Sequence, residues 1–318
     1  MRAADTILLW GLPTEAPIVA VEESLGRGAS RVFLLDQTRT LETEFHLQVG
    51  RSVKGELRMG EECLDLARVK SIYLRPYDFR ELPCMAGTPP YSEPWRKAVN
   101  LQDMLLSWCD VAPVRVLNRP THMSANNSKP YQAQWIASLG FKTPCTLITT
   151  DAEAARQFWQ HHGTIIYKSV SGMRSIVSRM SPEHAERMED IASCPTQFQQ
   201  YIAGMEYRVH VVGDELFACR IASEADDYRY SSNPVAMRPC RLPRGVAAAC
   251  LKLARAMKLT LAGIDLRHCR DGDWYCLEVN PSPGFTYFER SSGRPVAKAI
   301  ARLLLSDRPA KFALDAYF

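Results

Sequence analysis

Apolar and polar positions alternate along this chain in two periods, and the switches between them mark the elements. Residues 6–10 (TILLW) form a short apolar run, read as a buried strand. Gly11, Pro13 and Pro17 punctuate a loop, and residues 18–28 follow with helical spacing, ending at Gly26 or Gly28. Residues 31–36 (RVFLLD) are a second strand, so the chain opens β-α-β and predicts a small parallel sheet. Residues 45–49 and 54–59 alternate weakly and predict a hairpin. Residues 69–75 predict a strand, 95–109 a helix and 114–117 a short strand ending at Asn118-Arg119-Pro120.

Beyond residue 120 the strand formers thin out. Residues 125–139 read as a helix with Pro130 in its first turn. Residues 151–161 read as another, with Asp151 as N-cap. Residues 164–168 (TIIYK) and 175–180 predict a hairpin, and Ser181-Pro182-Glu183 begins a further helix. Residues 198–202, 206–212 and 215–221 are strands, the last two joined by the tight turn Gly213-Asp214. Residues 223–242 are polar and irregular. Residues 246–258 are helical, and a helix over 294–305 closes the pattern.

The stretch 261–284 (LAGIDLRHCRDGDWYCLEVNPSPG) carries the most chemistry. It reads as a strand ending in Asp265, a polar turn, and a second strand over 274–279. Side chains alternate along a strand, so Glu278 and Asn280 share one face. Pairing of the two strands brings Asp265 beside them. Two carboxylates and an amide oxygen then converge, a donor set suited to a hard divalent cation such as Mg²⁺. The plain alternative is a surface hairpin with a polar rim.

Composition narrows the classes. The chain has 318 residues, 46% apolar and 23% charged, with a net charge of +4 and no basic run, so nucleic acid is not an expected partner. No apolar stretch approaches a membrane span, and residues 6–10 are too short for a signal peptide core. The ten cysteines contain no C-x-x-C pair. They are expected to be free, mostly buried thiols in a cytoplasmic protein.

Other stretches carry weaker signals. Lys168 ends an apolar strand before a loop holding Ser171 and Gly172, which lets backbone approach a phosphate closely; an ordinary hairpin is the alternative. Gln199, Gln200, Tyr201 and Ile202 form an extended segment between lobes that can offer backbone groups to an adenine edge. Glu206 and Arg208 follow on one strand face. Asp227-Tyr228-Arg229 lies in a polar loop, with Arg220 and Arg267 flanking it. His210 reads as a packed strand residue, and His161-His162 as a helix end.

In this order, the features resemble the ATP-grasp superfamily, and within it RimK-type glutamate ligases and graspetide synthetases, which modify ribosomal peptides. The matching residues are Gln199 to Ile202, Glu206-Tyr207-Arg208, Val211 to Asp214, Asp227-Tyr228-Arg229, Asp265, and Glu278-Val279-Asn280 with the following Ser282-Pro283-Gly284. The resemblance implies an α/β ATP-grasp fold. It divides the chain into an N-terminal lobe (1–118), a central lobe (119–197) and a C-terminal lobe (198–318), the last two clamping ATP. It implies that Lys168, with Lys129, Ser171 and Gly172, holds phosphates. Gln199 to Ile202 would frame adenine, with Glu206 and Asp227 also at the nucleotide. Asp265, Glu278 and Asn280 would carry Mg²⁺, usually two ions, with Mn²⁺ as an alternative. Arg229, Arg208 and Arg220 would stabilise the transferring phosphoryl group.

The implied activity is ATP-dependent carboxylate–amine or carboxylate–hydroxyl ligation through an acyl-phosphate. The acceptor would be an amino acid, a peptide or a precursor peptide, and homo-oligomers are common in this superfamily. Two other readings fit the same scaffold. One is a small-molecule kinase of the inositol-phosphate type, using Arg229, Arg238, Arg241 and Arg244. The other is a nucleotide-binding module without turnover.

Overall fold

The computed structural model describes residues 5–26, 30–51, 53–170, 177–222 and 236–306. Four sheets organise them. The first is parallel, in the order Arg31–Asp36, Thr6–Gly11, Val69–Leu74, Arg115–Leu117. Thr6–Gly11 is buried at every position, as expected of a central parallel strand covered on both faces. Leu8 and Trp10 pack with Leu101, Leu105 and Trp108 of the helix Glu93–Val111. Ile7 and Leu9 face Ile18 and Val21 of the helix Ala16–Leu25 and Ile300 and Leu304 of the helix Val296–Leu305. The predicted β-α-β opening and the 45–49/54–59 hairpin are both present. The hairpin gains a third strand, Glu62–Asp65, too short and exposed to show in the apolar pattern.

The second sheet is antiparallel, in the order Ser178–Arg179, Ile165–Ser169, Thr196–Gln200, Thr146–Thr149. Its Ile165 and Phe198 pack on Ala152 and Ala155 of the helix Ala152–His162. Asp151 caps that helix as predicted, accepting from Glu153 N–H and Ala154 N–H. The strand Thr146–Thr149 was not expected; it is four residues long and flanked by polar positions. The segment expected as a strand over 198–202 instead pairs over Thr196–Gln200, within this second sheet.

The third sheet runs Ala236–Cys240, Glu215–Ala222, Met205–Val212, Leu261–His268, Trp274–Asn280, all antiparallel. Val209, Val211 and Ile264 bury one face against Cys250 and Leu253 of the helix Arg244–Ala256. Two expectations change here. Residues 236–240, read as irregular, form an edge strand. The strand expected to end at Asp265 continues to His268. A helix at Thr286–Ser292 also went unpredicted. All ten cysteines are unpaired, as expected, but only Cys109, Cys219, Cys250 and Cys276 are buried. Among the described residues no helix is long and apolar enough to cross a membrane.

Candidate active site

The chemistry sits on the face of the third sheet away from the helix Arg244–Ala256. In the hairpin, Asp265 lies directly opposite Glu278 and Gly263 opposite Asn280. A register shift follows Asp265, because Leu266 pairs with Cys276 and leaves Leu277 as an extra residue. The predicted convergence of Asp265, Glu278 and Asn280 on one strand end is therefore present.

Each carboxylate is held by a cation from another element. Arg208 Nη1 donates to Asp265 Oδ1 at 2.7 Å and Oδ2 at 2.8 Å. Lys129 Nζ, at the first turn of the helix Lys129–Ser138, reaches Glu278 Oε1 at 2.6 Å. Burial pushes the Glu278 carboxyl up. Attraction and hydrogen bonding from Lys129, with Lys168 and Arg208 behind, outweigh it and hold the group below its ordinary value. A lysine at a helix N-terminus opposes the helix dipole, so its place there reflects the carboxylate it serves. Asn280 Oδ1 accepts from Ser282 N–H at 2.8 Å.

Three residues that the sequence reading did not single out for the site fix this corner. Gln132 donates to Val279 O at 2.8 Å and accepts from Val279 N–H at 3.0 Å, clamping the Lys129 helix onto the Glu278 strand. Asn118 is buried; it donates to Leu261 O and Pro281 O and accepts from Thr260 N–H and Leu261 N–H. Arg75, at the end of a first-sheet strand, donates to Ser282 Oγ at 3.2 Å and Pro283 O at 3.0 Å, and pairs with Glu15. Asn118 and Arg75 stand just past strand ends, within two residues of a proline, a position that signals only a turn in sequence.

His210 is 1% exposed and packs against Phe288, as its apolar strand predicted. Burial first, and Arg208 next, press its pKa well below the ordinary value, so the ring is neutral. Gly263 is required beside it: a Cβ there would lie 2.4 Å from Arg208 Nη2 and 2.7 Å from Pro283 Cβ.

A cavity of about 430 Å³ opens between the second sheet, the Lys129 helix and Leu277. Lys129, Lys168, Gln197 and Gln199 line it. Its volume falls in the range of small-molecule sites. The chain continues from Gln199, on the cavity wall, into the segment after Gln200. Gln200 N–H donates to Cys145 O and Tyr201 N–H to Thr164 O. Ile202 O accepts from Arg267 Nη1 at 3.0 Å, while Arg267 Nη2 pairs with Glu206 at 3.0 Å. Tyr201 lies under the Arg179 guanidinium.

The structure thus brings Lys129, Arg208, Asp265, Glu278 and Asn280 together at one corner, with Lys168 and Gln199 lining the same cavity as Lys129, while Glu206 pairs with Arg267. Arg220 is not among them. It pairs with Tyr207, one residue out of phase with Arg208, and is exposed on the opposite face beside Arg238. Ser171, Gly172, Asp227 and Arg229 lie outside the described residues.

The oxygen donors of Asp265, Glu278 and Asn280 fit a hard cation, and the paired lysines fit phosphate. Residues 126–304 match the RimK-like ATP-grasp domain. A probable alpha-L-glutamate ligase of Shewanella loihica is 32% identical over 106 residues, 33% of this chain and 35% of that protein. The ribosomal protein bS6–L-glutamate ligase of Escherichia fergusonii is 29% identical, over 62% of this chain and 70% of its own length. Among solved structures, macrocyclase MdnC of Microcystis aeruginosa, bound with precursor peptide MdnA, superposes with a TM-score of 0.79. It is 23% identical, over 95% of this chain and 100% of that chain, a likeness of fold alone. The ATP-grasp ligase PsnB, complexed with a minimal precursor, Mg and ADP, gives 0.77 at 25% identity, over 96% and 98%. The two glutamate ligases and PsnB are ligases, which favours the ligase reading over the kinase alternative. The RimK-like domain covers more than half of the chain and contains Lys129, Lys168, Arg208, Asp265 and Glu278, so the chain belongs to the RimK-like ATP-grasp family.

Proposed function

We propose that this chain is an ATP-dependent ligase that joins a carboxylate to an amine or hydroxyl, with a peptide as substrate. One observation carries the reading: Asp265 and Glu278 face each other at a cleft lined by two lysines, each carboxylate already paired with a cation. Peptide substrates are suggested by MdnC, bound with a precursor peptide, and PsnB, complexed with a minimal precursor. The lobes we propose are residues 1–118, 119–197 and 198–318, and a homo-oligomer is compatible with them.

In this reading, ATP lies in the cavity with adenine toward Gln199 to Ile202 and ribose toward Glu206. Lys129 and Lys168 hold its phosphates, joined by Ser171 and Gly172, while Asp227 lies near the nucleotide. Asp265, Glu278 and Asn280 would hold Mg²⁺, two ions in the fuller form, with Mn²⁺ as a substitute, and the metal would neutralise phosphate charge. A substrate carboxylate oxygen attacks the γ-phosphorus, the bond to the β-phosphate oxygen breaks, and ADP leaves. The nucleophile then adds to the acyl carbon, loses its proton to solvent, and phosphate departs. Arg208, with Arg229, offsets the charge on the transferring oxygens. The protein's main contribution is alignment of two anionic reactants.

Glu278→Ala tests the assignment. The variant should fold, by circular dichroism and thermal unfolding, and consume no ATP. Undiminished ATP consumption would remove Glu278 from the site.

A further inference from the structure

The second sheet's strand Thr196–Gln200 ends where the third sheet's strand Met205–Val212 is about to begin, and residues 201–204 carry the chain across. One guanidinium fastens this joint. Arg267 Nη1 donates to Ile202 O and Nη2 to Glu206 Oε2, each at 3.0 Å. Its guanidinium carbon also lies 5.6 Å from the centre of the Tyr201 ring. Arg179, from the second sheet, lies over the same ring at 4.2 Å and donates to the Tyr201 hydroxyl at 2.8 Å. The joint is thus held from both sheets. It also touches the backbone of the third: a Cβ at Gly204 would come 2.3 Å from His268 O.

The strand register sets Arg267 directly opposite Glu206, in the row next to Arg208 and Asp265 and on the same face. Arg267 is 9% exposed, so its charge depends on these partners and not on water. The planar fork of a guanidinium can serve two acceptors at fixed angles, which the point charge of a lysine cannot do. An unpaired glutamate samples several rotamers, and a ligand that bound it would have to freeze them. Holding Glu206 and the Ile202 carbonyl beforehand removes that cost from nucleotide binding.

We infer that Arg267 is a positioning residue: by fixing Ile202 and Glu206 it presets the adenine frame and the ribose contact, and so sets the affinity for ATP without touching it. The inference rests on the reading of Ile202 and Glu206 as nucleotide contacts.

The test is KM and kcat for ATP and for 2′,3′-dideoxy-ATP, which lacks both ribose hydroxyls, on the wild-type protein, Glu206→Ala, Arg267→Met and Arg267→Lys. The wild type should favour ATP in KM by about 10- to 150-fold, the range for hydrogen bonds to a charged group. Glu206→Ala should lose this preference. Arg267→Met should lose it too, its KM for ATP rising toward that of the analogue while kcat at saturating ATP falls far less. Arg267→Lys, which keeps one of the two contacts, should lie between. A merely structural role would lower the thermal midpoint or the fraction of active protein and leave the ATP preference at the wild-type value.

The inference is overturned if Arg267→Met keeps the wild-type preference while Glu206→Ala loses it; the ribose reading of Glu206 then stands. Arg267→Lys decides in the same way if Arg267→Met does not fold. If Glu206→Ala keeps the preference, or the wild type does not distinguish the analogue, the nucleotide reading of Glu206 falls and the inference with it.

Discussion

Arg208 reaches both oxygens of Asp265, at 2.7 and 2.8 Å, and removal of this pair should be felt in stability as well as turnover. Arg208 is 6% exposed, and the Gly263 backbone leaves just enough room for its guanidinium. Breaking such a pair leaves one charge poorly solvated, so Arg208→Met should cost about 3 kcal/mol in urea unfolding and abolish ATP turnover. His210, beside it, makes stability depend on pH. Its folded pKa is depressed, while the unfolded ring titrates near its ordinary value of about 6.5. The native contribution is therefore full above that value. It is lost as pH falls below it, because only the unfolded chain takes up the proton. The wild type should lose up to about 1.4 kcal/mol per pH unit below pH 6.5 relative to His210→Gln, read from urea midpoints.

At the scale of elements, the hairpin Leu261–His268 with Trp274–Asn280 does most of the positioning. Gly263 lies opposite Asn280 and under Arg208. Gly263→Ala adds one methyl group where Arg208 and Pro283 already meet. It should cost about 1–3 kcal/mol and reduce ATP turnover, because Arg208 must move off Asp265. Alternation alone made Glu278 and Asn280 legible as one face, and pairing made Asp265 their neighbour. The extra residue Leu277 was not legible, since a bulge leaves no mark in a two-residue period. Short strands with polar flanks, Thr146–Thr149 and Ala236–Cys240, were missed for the related reason that they bury too little to show. Arg220 shows the reverse error. The sequence reading set it beside the Asp227-Tyr228-Arg229 loop and gave it the same role as Arg208, but the strand register turns it to the other face.

Across the whole molecule, the helix Val296–Leu305 joins the first sheet to the third. Ile300 and Leu304 pack with Ile7, Leu9 and Val21, and also with Val212, Phe217 and Leu261. Ser71 Oγ donates to Leu304 O at 2.8 Å, and Arg75 reaches Ser282 and Pro283 just past the strand Trp274–Asn280. Leu304→Ala should therefore cost about 2–5 kcal/mol, with near- and far-ultraviolet dichroism shifting together in one transition. Two separate transitions would show that the sheets unfold independently. This long-range assembly was not legible from periodicity. Lys129 and Glu278 lie far apart in sequence, and only the resemblance to RimK-type enzymes tied them to one nucleotide site.

The central claim is that a substrate carboxylate is activated by phosphorylation and then captured by a nucleophile. A peptide bearing carboxylates enriched in heavy oxygen, incubated with ATP, Mg²⁺ and this protein, tests it most directly. The account predicts one new amide or ester bond per ADP released, with one heavy oxygen transferred from the peptide carboxylate to each inorganic phosphate. Release of AMP, or a phosphorylated product that accumulates with no new amide or ester, would contradict it.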